Sequence, residues 1–147
     1  MNTLKYDLAA TGNHEYQYGV NTLINEYVKQ ANFKVLNSNI TDANPQVGQD
    51  TIKIPITEIL KELIPKVKAQ ANVVILLAHE GINKIEQILT NNPDIASNID
   101  VVFAGHDHNY TPNPIIIKTN LKSFEHKTYI VEMGSIYKTF RLLSNKI

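Results

Sequence analysis

Val73-Val-Ile-Leu-Leu-Ala78 is an unbroken apolar run, and His79-Glu80-Gly81 follows it directly. A run this short is strand-sized, and the lack of polar alternation reads as a strand buried on both faces, the kind found in parallel sheets. The layout returns at Val101–Ala104, followed by Gly105-His106-Asp107-His108, and at Tyr6–Thr11, followed by Gly12-Asn13-His14-Glu15. Parallel strands need crossover connections, usually helices. The chain is thereby directed towards alternating β and α elements. Imidazole and amide groups at the carboxyl ends of such strands gather where α/β sheets build their sites.

The remaining segments fit that scheme. Asn21–Gln30 has Leu23, Ile24, Tyr27 and Val28 at helical spacing and predicts an amphipathic helix. Phe33–Asn37 reads as the next strand, and Ser38–Asp50, with Pro45 and Gly48, reads as a loop. Thr57 is placed to cap a helix through Gln70, with Pro65 predicting a kink or a fresh start. Ile85–Asn91 predicts a short helix. Ile115–Lys118, Thr128–Met133 and Thr139–Leu143 read as antiparallel strands. The expected class is α/β, with helices packed on a mostly parallel sheet.

Composition removes several functional classes. Lys plus Arg and Asp plus Glu both number 14, so no general nucleic-acid or acidic-membrane partner is indicated. A small anionic ligand stays open, because a local metal charge does not enter that sum. There is no cysteine, which excludes disulfides and thiolate metal sites. No apolar run approaches the ~18 residues of a membrane span.

The chemistry lies in the three polar ends. His106 and His108 at i, i+2 would fall on one side of an extended segment, where they could bind one metal or two neighbouring ones. Asp107 would then point away and fix the loop. A lone His-x-His is as readily a pair of polar loop histidines. His79 alone is a weak signal, more often a loop or satisfied buried residue. Asn13 offers a neutral oxygen to a cation, His14 a titratable proton, and Glu15 a partner to orient either group. The recurrence of one architecture in three places is what points to a divalent-metal site aimed at a phosphate.

At these residues the chain resembles the calcineurin-like metallophosphoesterases, and within them the 5′-nucleotidase and 2′,3′-cyclic-nucleotide phosphodiesterase branch. The resemblance is carried by the stretch from Tyr6 through Gly12-Asn13-His14-Glu15 to Gly19, by Leu36-Asn-Ser-Asn39, by Leu63 through Pro65 to His79-Glu80-Gly81, and by Gly105-His106-Asp107-His108. Gly134 looks like that family's final core glycine. The resemblance implies layered sheets flanked by helices, two divalent ions, and a metal-bound water attacking phosphorus in line. It implies Asn13, His79 and His106 as ligands of one metal and His108 of the other. His14 would be the catalytic histidine that stabilises or protonates the leaving oxygen. Glu15 and Asp107 would support the ligands. His126 matches no motif and reads as an ordinary surface histidine.

The resemblance also sets expectations by what it lacks. The family opens with Asp-x-His and a Gly-Asp whose carboxylate bridges both metals, and neither occurs here. A core strand is expected to be missing between Lys53 and the helix holding Pro65. Residues 1–147 are therefore expected to be a partial catalytic domain, incomplete at the N-terminus and without the C-terminal nucleotide-specificity domain. The implied substrate is a small phosphate ester, a nucleotide or cyclic nucleotide. The cofactor would be Mn, Zn, Fe, Co or Mg, with only one ion retained in the sparest reading. In that alternative the chain is an inactive remnant that binds at most one metal or pairs with another chain through exposed sheet edges. Members of the branch are mostly periplasmic or extracellular.

Overall fold

The computed structural model describes residues 1–42, 51–121 and 124–134. The chain divides into two compact units, Met1–Ile59 and Leu60–Ile147.

In the first unit, β1 (Leu8–Ala10) pairs in parallel with β2 (Lys34–Leu36), Ala9 opposite Val35. The Asn2 side chain secures the approach to β2. It donates to the Gln30 carbonyl and accepts from the Asn32 N–H, both at 2.8 Å. The helix expected over Asn21–Gln30 is present as one α-turn, α1 (Val20–Thr22), continuing into a π-helix over Leu23–Val28. Only Leu23 of its apolar stripe is buried, while Ile24, Tyr27 and Val28 are exposed. The expected loop Ser38–Asp50 contains a strand instead. β3 (Ile40–Asp42) pairs antiparallel with β4 (Thr51–Lys53), which satisfies backbone groups a free loop would leave to water. Pro45 and Gly48 lie outside the described residues.

α2 (Ile56–Lys68) begins in the first unit and ends in the second. Thr57 lies inside it rather than capping it, and the helix runs through Pro65 without a fresh start. Proline deletes one donor from the ladder, but the apolar stripe continues across it, with Leu60 and Ile64 both buried.

In the second unit, four strands form one sheet in the order β5-β6-β8-β7, from β5 (Ile75–Ala78), β6 (Val101–Ala104), β7 (Ile115–Leu121) and β8 (Phe124–Glu132). β5, β6 and β8 are mutually parallel, and β7 is antiparallel to β8. The expected antiparallel character of the tail therefore holds for the β7–β8 pair, while β8 also extends the parallel sheet. Thr139–Leu143 lies outside the described residues. Between β5 and β6 run α3 (Ile82–Asn91), three residues longer at its start than expected, and α4 (Pro93–Ala96), which was not foreseen. α3 lies against β7 and β8, and α4 against β7.

The core sits under those helices. Ile82, Ile85, Leu89, Ile95 and Ala96 are buried together with Val102, Ile117 and Ile130 of the sheet and Ile99 of the loop before β6. The buried Thr128 hydroxyl bonds the carbonyls of Ala96 and Ile99 at 2.7 and 2.8 Å, closing the end of α4. Asp100 accepts the Val74 N–H at 2.8 Å and lies 3.5 Å from Lys68 Nζ, joining the starts of β5 and β6 to the end of α2. His126, read from sequence as a surface histidine, is half-buried, with Nε2 2.9 Å from the Ile99 carbonyl.

The opposite face corrects an expectation. The strands ending at His79 and Gly105 were expected to be buried on both sides, yet Ile75 is 54% and Phe103 47% exposed. Register places Ile75, Val101, Tyr129 and Ile116 in one row across that face, and Ile116 and Tyr129 are exposed as well. Leu8 and Ala10 of β1 are also exposed. Apolar runs report what a strand could bury. Whether a neighbour covers the second face is decided elsewhere in the fold.

Candidate active site

In the first unit the chain leaves β1 at Thr11 and turns through a short 3-10 helix at His14–Tyr16. Glu15 shapes this turn, its Oε2 accepting the Gly12 N–H at 2.7 Å. The Tyr16 hydroxyl lies 3.2 Å from Thr11 Oγ1 and accepts from Asn37 Nδ2 at 2.8 Å, tying the turn to the residue after β2. His14 is held out on this turn, exposed, with Nδ1 3.5 Å from Gln17 Oε1. Asn13 immediately precedes it. An exposed imidazole on a braced turn is suited to exchanging a proton with a bound ligand.

In the second unit two strand ends meet. The Gly105 N–H bonds the Ala78 carbonyl and the Gly81 N–H bonds the Gly105 carbonyl, both at 2.9 Å. This lacing brings the His79 and His106 rings to a centroid separation of 5.3 Å, edge to face at 76°. A β-carbon on Gly105 would stand 3.2 Å from His79 Nδ1, so glycine there allows the close approach. Asp107 Oδ2 accepts the Ile82 N–H at 2.9 Å in the first turn of α3. There the orphan amides and the helix dipole favour a carboxylate. Glu80, just before α3, pairs with Lys84 of its first turn.

His106 and His108 do not lie on an extended segment, as alternation had required. The segment bends: His106 has φ 106° and His108 φ 56°. The structure unites His106 with His79 instead, two histidines from different strand ends. Among the described residues, no three His, Cys, Asp or Glu side chains form a group able to hold a metal ion. Any ion held at the His79–His106 pair would need its coordination shell completed by other donors.

Gly81 carries a further constraint. Its φ is +83°, and a β-carbon there would lie 2.6–2.9 Å from the Asp107 carboxylate. Gly19 has a similar φ of +86° with nothing within 4 Å. Gly81→Ala is expected to cost about 1–3 kcal/mol from backbone strain and to displace Asp107 from Ile82 as well. Gly19→Ala should show the strain alone. Urea unfolding of the two variants measures the difference, and equal losses would remove the clash from the account.

Sequence reasoning missed two residues of this corner, Thr111 and Glu132. Thr111 carried no signal. Glu132 did: it follows Thr128 and Ile130 on the buried face of β8, where a charge breaks the pattern.

The His14 turn and both histidine-bearing strand ends sit within a segment of known type. A family model described as calcineurin-like phosphoesterase matches residues 3–110, from the first turn past both strand-end motifs. The chain belongs to the calcineurin-like phosphoesterase family. Its α/β architecture, parallel strands with helices between them, accords with that membership.

Curated relatives of this chain bear nucleotide names. It is 29% identical to a trifunctional nucleotide phosphoesterase of Bacillus subtilis over 163 residues, spanning 77% of this chain and 11% of the relative. It is 45% identical to a Homo sapiens 5′-nucleotidase over 49 residues, 33% of this chain and 8% of that one. A 2′,3′-cyclic-nucleotide 2′-phosphodiesterase/3′-nucleotidase of Haemophilus influenzae is 39% identical over 46 residues, 31% of this chain and 7% of the relative. The chain thus spans about a tenth or less of the length of each of these relatives. The Bacillus alignment, at 163 positions, is longer than this chain's 147 residues while covering 77% of it. That relative therefore carries residues between the aligned blocks that have no counterpart here. No helix among the described residues is long and apolar enough to cross a membrane.

Proposed function

We propose that this chain is the partial catalytic domain of a metal-dependent phosphoester hydrolase acting on nucleotides or cyclic nucleotides. The observation that carries the reading is the His79–His106 pair, two imidazoles laced together at adjacent strand ends inside the family-matched segment. His79 and His106, which the second unit brings together, would hold one divalent ion and His108 a second, and the family resemblance implies Asn13 as a further ligand of the first. When bound, the ions would polarise the phosphoryl group and the attacking water as Lewis acids. His14 would place its imidazole against the leaving oxygen and protonate it as the P–O bond breaks. Glu15 would keep His14 presented by bracing the Gly12 turn, and Asp107 would hold the His106 and His108 loop to α3. Selection of the nucleoside would fall to a separate C-terminal domain. An exported protein suits this substrate class.

The reading is tested by manganese-dependent hydrolysis of an aryl phosphate diester by this chain and by His14→Ala. A general acid contributes about 10²–10⁴-fold, so the variant should lose that much of the turnover. Equal rates for the two proteins would remove His14 from the chemistry.

One observation favours a second reading. No three-residue His, Cys, Asp or Glu metal group exists among the described residues. A chain with only the two-imidazole pair would be an inactive remnant that takes up one ion weakly or pairs with another polypeptide. Metal uptake without turnover would favour it.

A further inference from the structure

We propose that Thr111 is a positioning residue for His106 and His108, holding the loop backbone on which both imidazoles ride. The inference rests on the ligand reading above and adds the device that sets the geometry. The loop is pinned at three points. The Gly105 carbonyl accepts from Gly81 N–H at 2.9 Å, and the Asp107 carboxylate accepts from Ile82 N–H at 2.9 Å. The third pin is Thr111 on Glu132 of β8. Its hydroxyl accepts the Glu132 N–H at 2.8 Å and reaches the Glu132 carbonyl at 3.1 Å, while its own N–H donates to that carbonyl at 3.0 Å. The side chain stands in for a missing strand, satisfying both backbone groups of Glu132 where the β8 ladder ends.

The neighbouring contacts reinforce this pin. Tyr110 bridges Met133 in antiparallel fashion. Gly134, at φ +75°, makes room beside it, since a β-carbon there would lie 3.4 Å from Tyr110 Cβ and 3.7 Å from the His108 carbonyl oxygen. Between the pins, His106 and His108 hold the left-handed conformations given above. Non-glycine residues keep such conformations only where the surroundings over-determine them, and they cluster at functional sites. Releasing the carboxyl-terminal pin would let both residues relax, and the two imidazoles would lose their aim while the sheet stayed intact. Valine has threonine's shape without its hydroxyl, and serine keeps the hydroxyl.

Thr111→Val is therefore expected to keep the wild-type far-UV dichroism, to bind Mn²⁺ about 10–100-fold more weakly in a calorimetric titration, and to exchange the amides of residues 106–110 faster. Thr111→Ser should restore both readouts. A Thr111→Val protein with wild-type Mn²⁺ affinity and wild-type loop exchange would overturn the proposal. If wild type takes up no Mn²⁺, the ligand reading falls, and the positioning role is still decided by loop exchange: faster in Thr111→Val upholds it, unchanged overturns it. Should Thr111→Val fail to fold, Thr111→Ala set against Thr111→Ser makes the same comparison with the same two outcomes.

Discussion

His106→Ala is expected to abolish measurable Mn²⁺ uptake at the second unit's strand ends. Losing an outer support of a ligand costs about 10–100-fold in metal affinity, and removing one of two imidazoles that face each other at 5.3 Å should cost at least that. His126→Ala is the matched control. Its ring is committed to the Ile99 carbonyl, so its loss should leave uptake unchanged and lower only stability. The contrast separates a local site from general histidine affinity for transition metals. Equal uptake by the two variants would end the case for a centre built on His79 and His106.

Glu132→Leu is expected to stabilise the protein. Glu132 is 2% exposed and both carboxylate oxygens lack a hydrogen-bond partner. Its row across the sheet contains Ala78 and Ala104, small residues that bring no counter-charge. A buried polar group left without a hydrogen-bond partner costs about 1–3 kcal/mol, and leucine removes that cost while filling a similar volume. The midpoint of urea unfolding should rise accordingly, with the Thr111 bonds to the Glu132 backbone unaffected. A lower midpoint would mean that the carboxylate has a partner of its own in solution, a bound water or cation.

Much of this architecture was legible because apolar spacing is a local signal. The strands ending at His79, Gly105 and Gly12 and the helices holding Leu60 and Leu89 follow from it directly. What escaped depends on partners distant in sequence. β3 exists because β4 pairs with it, and Ile40 to Asp42 alone gave no alternation to read. α4 is one turn, too short for periodicity, though Pro93 at its start was a usable sign. The exposed face of the four-stranded sheet escaped because a continuous apolar run cannot say whether its second side has a neighbour. At the candidate site, the residues were visible and their backbone was not. The loop with left-handed turns at His106 and His108 is held by bonds to Gly81, Ile82 and Glu132, all more than 20 residues away in the chain. Family resemblance supplied ligand assignments that spacing could not. The i, i+2 argument paired His106 with His108, where the fold pairs it with His79.

The buried face of β8 has one more consequence, for strand register. Side chains along a strand alternate between faces, so a slip of one residue would turn Glu132 outwards and Tyr129 and Val131 inwards. Relief of the buried carboxylate would favour that slip, but it would turn the fully buried Ile130 out and the charged Glu125 and Lys127 in. Thr128 and His126 resist it, since the Thr128 hydroxyl meets the Ala96 and Ile99 carbonyls, and the His126 ring the Ile99 carbonyl, only when that face is turned to the helices. Thr128, His126 and Ile130 thus key β8 into place, and through β8 they key the loop that carries His106 and His108.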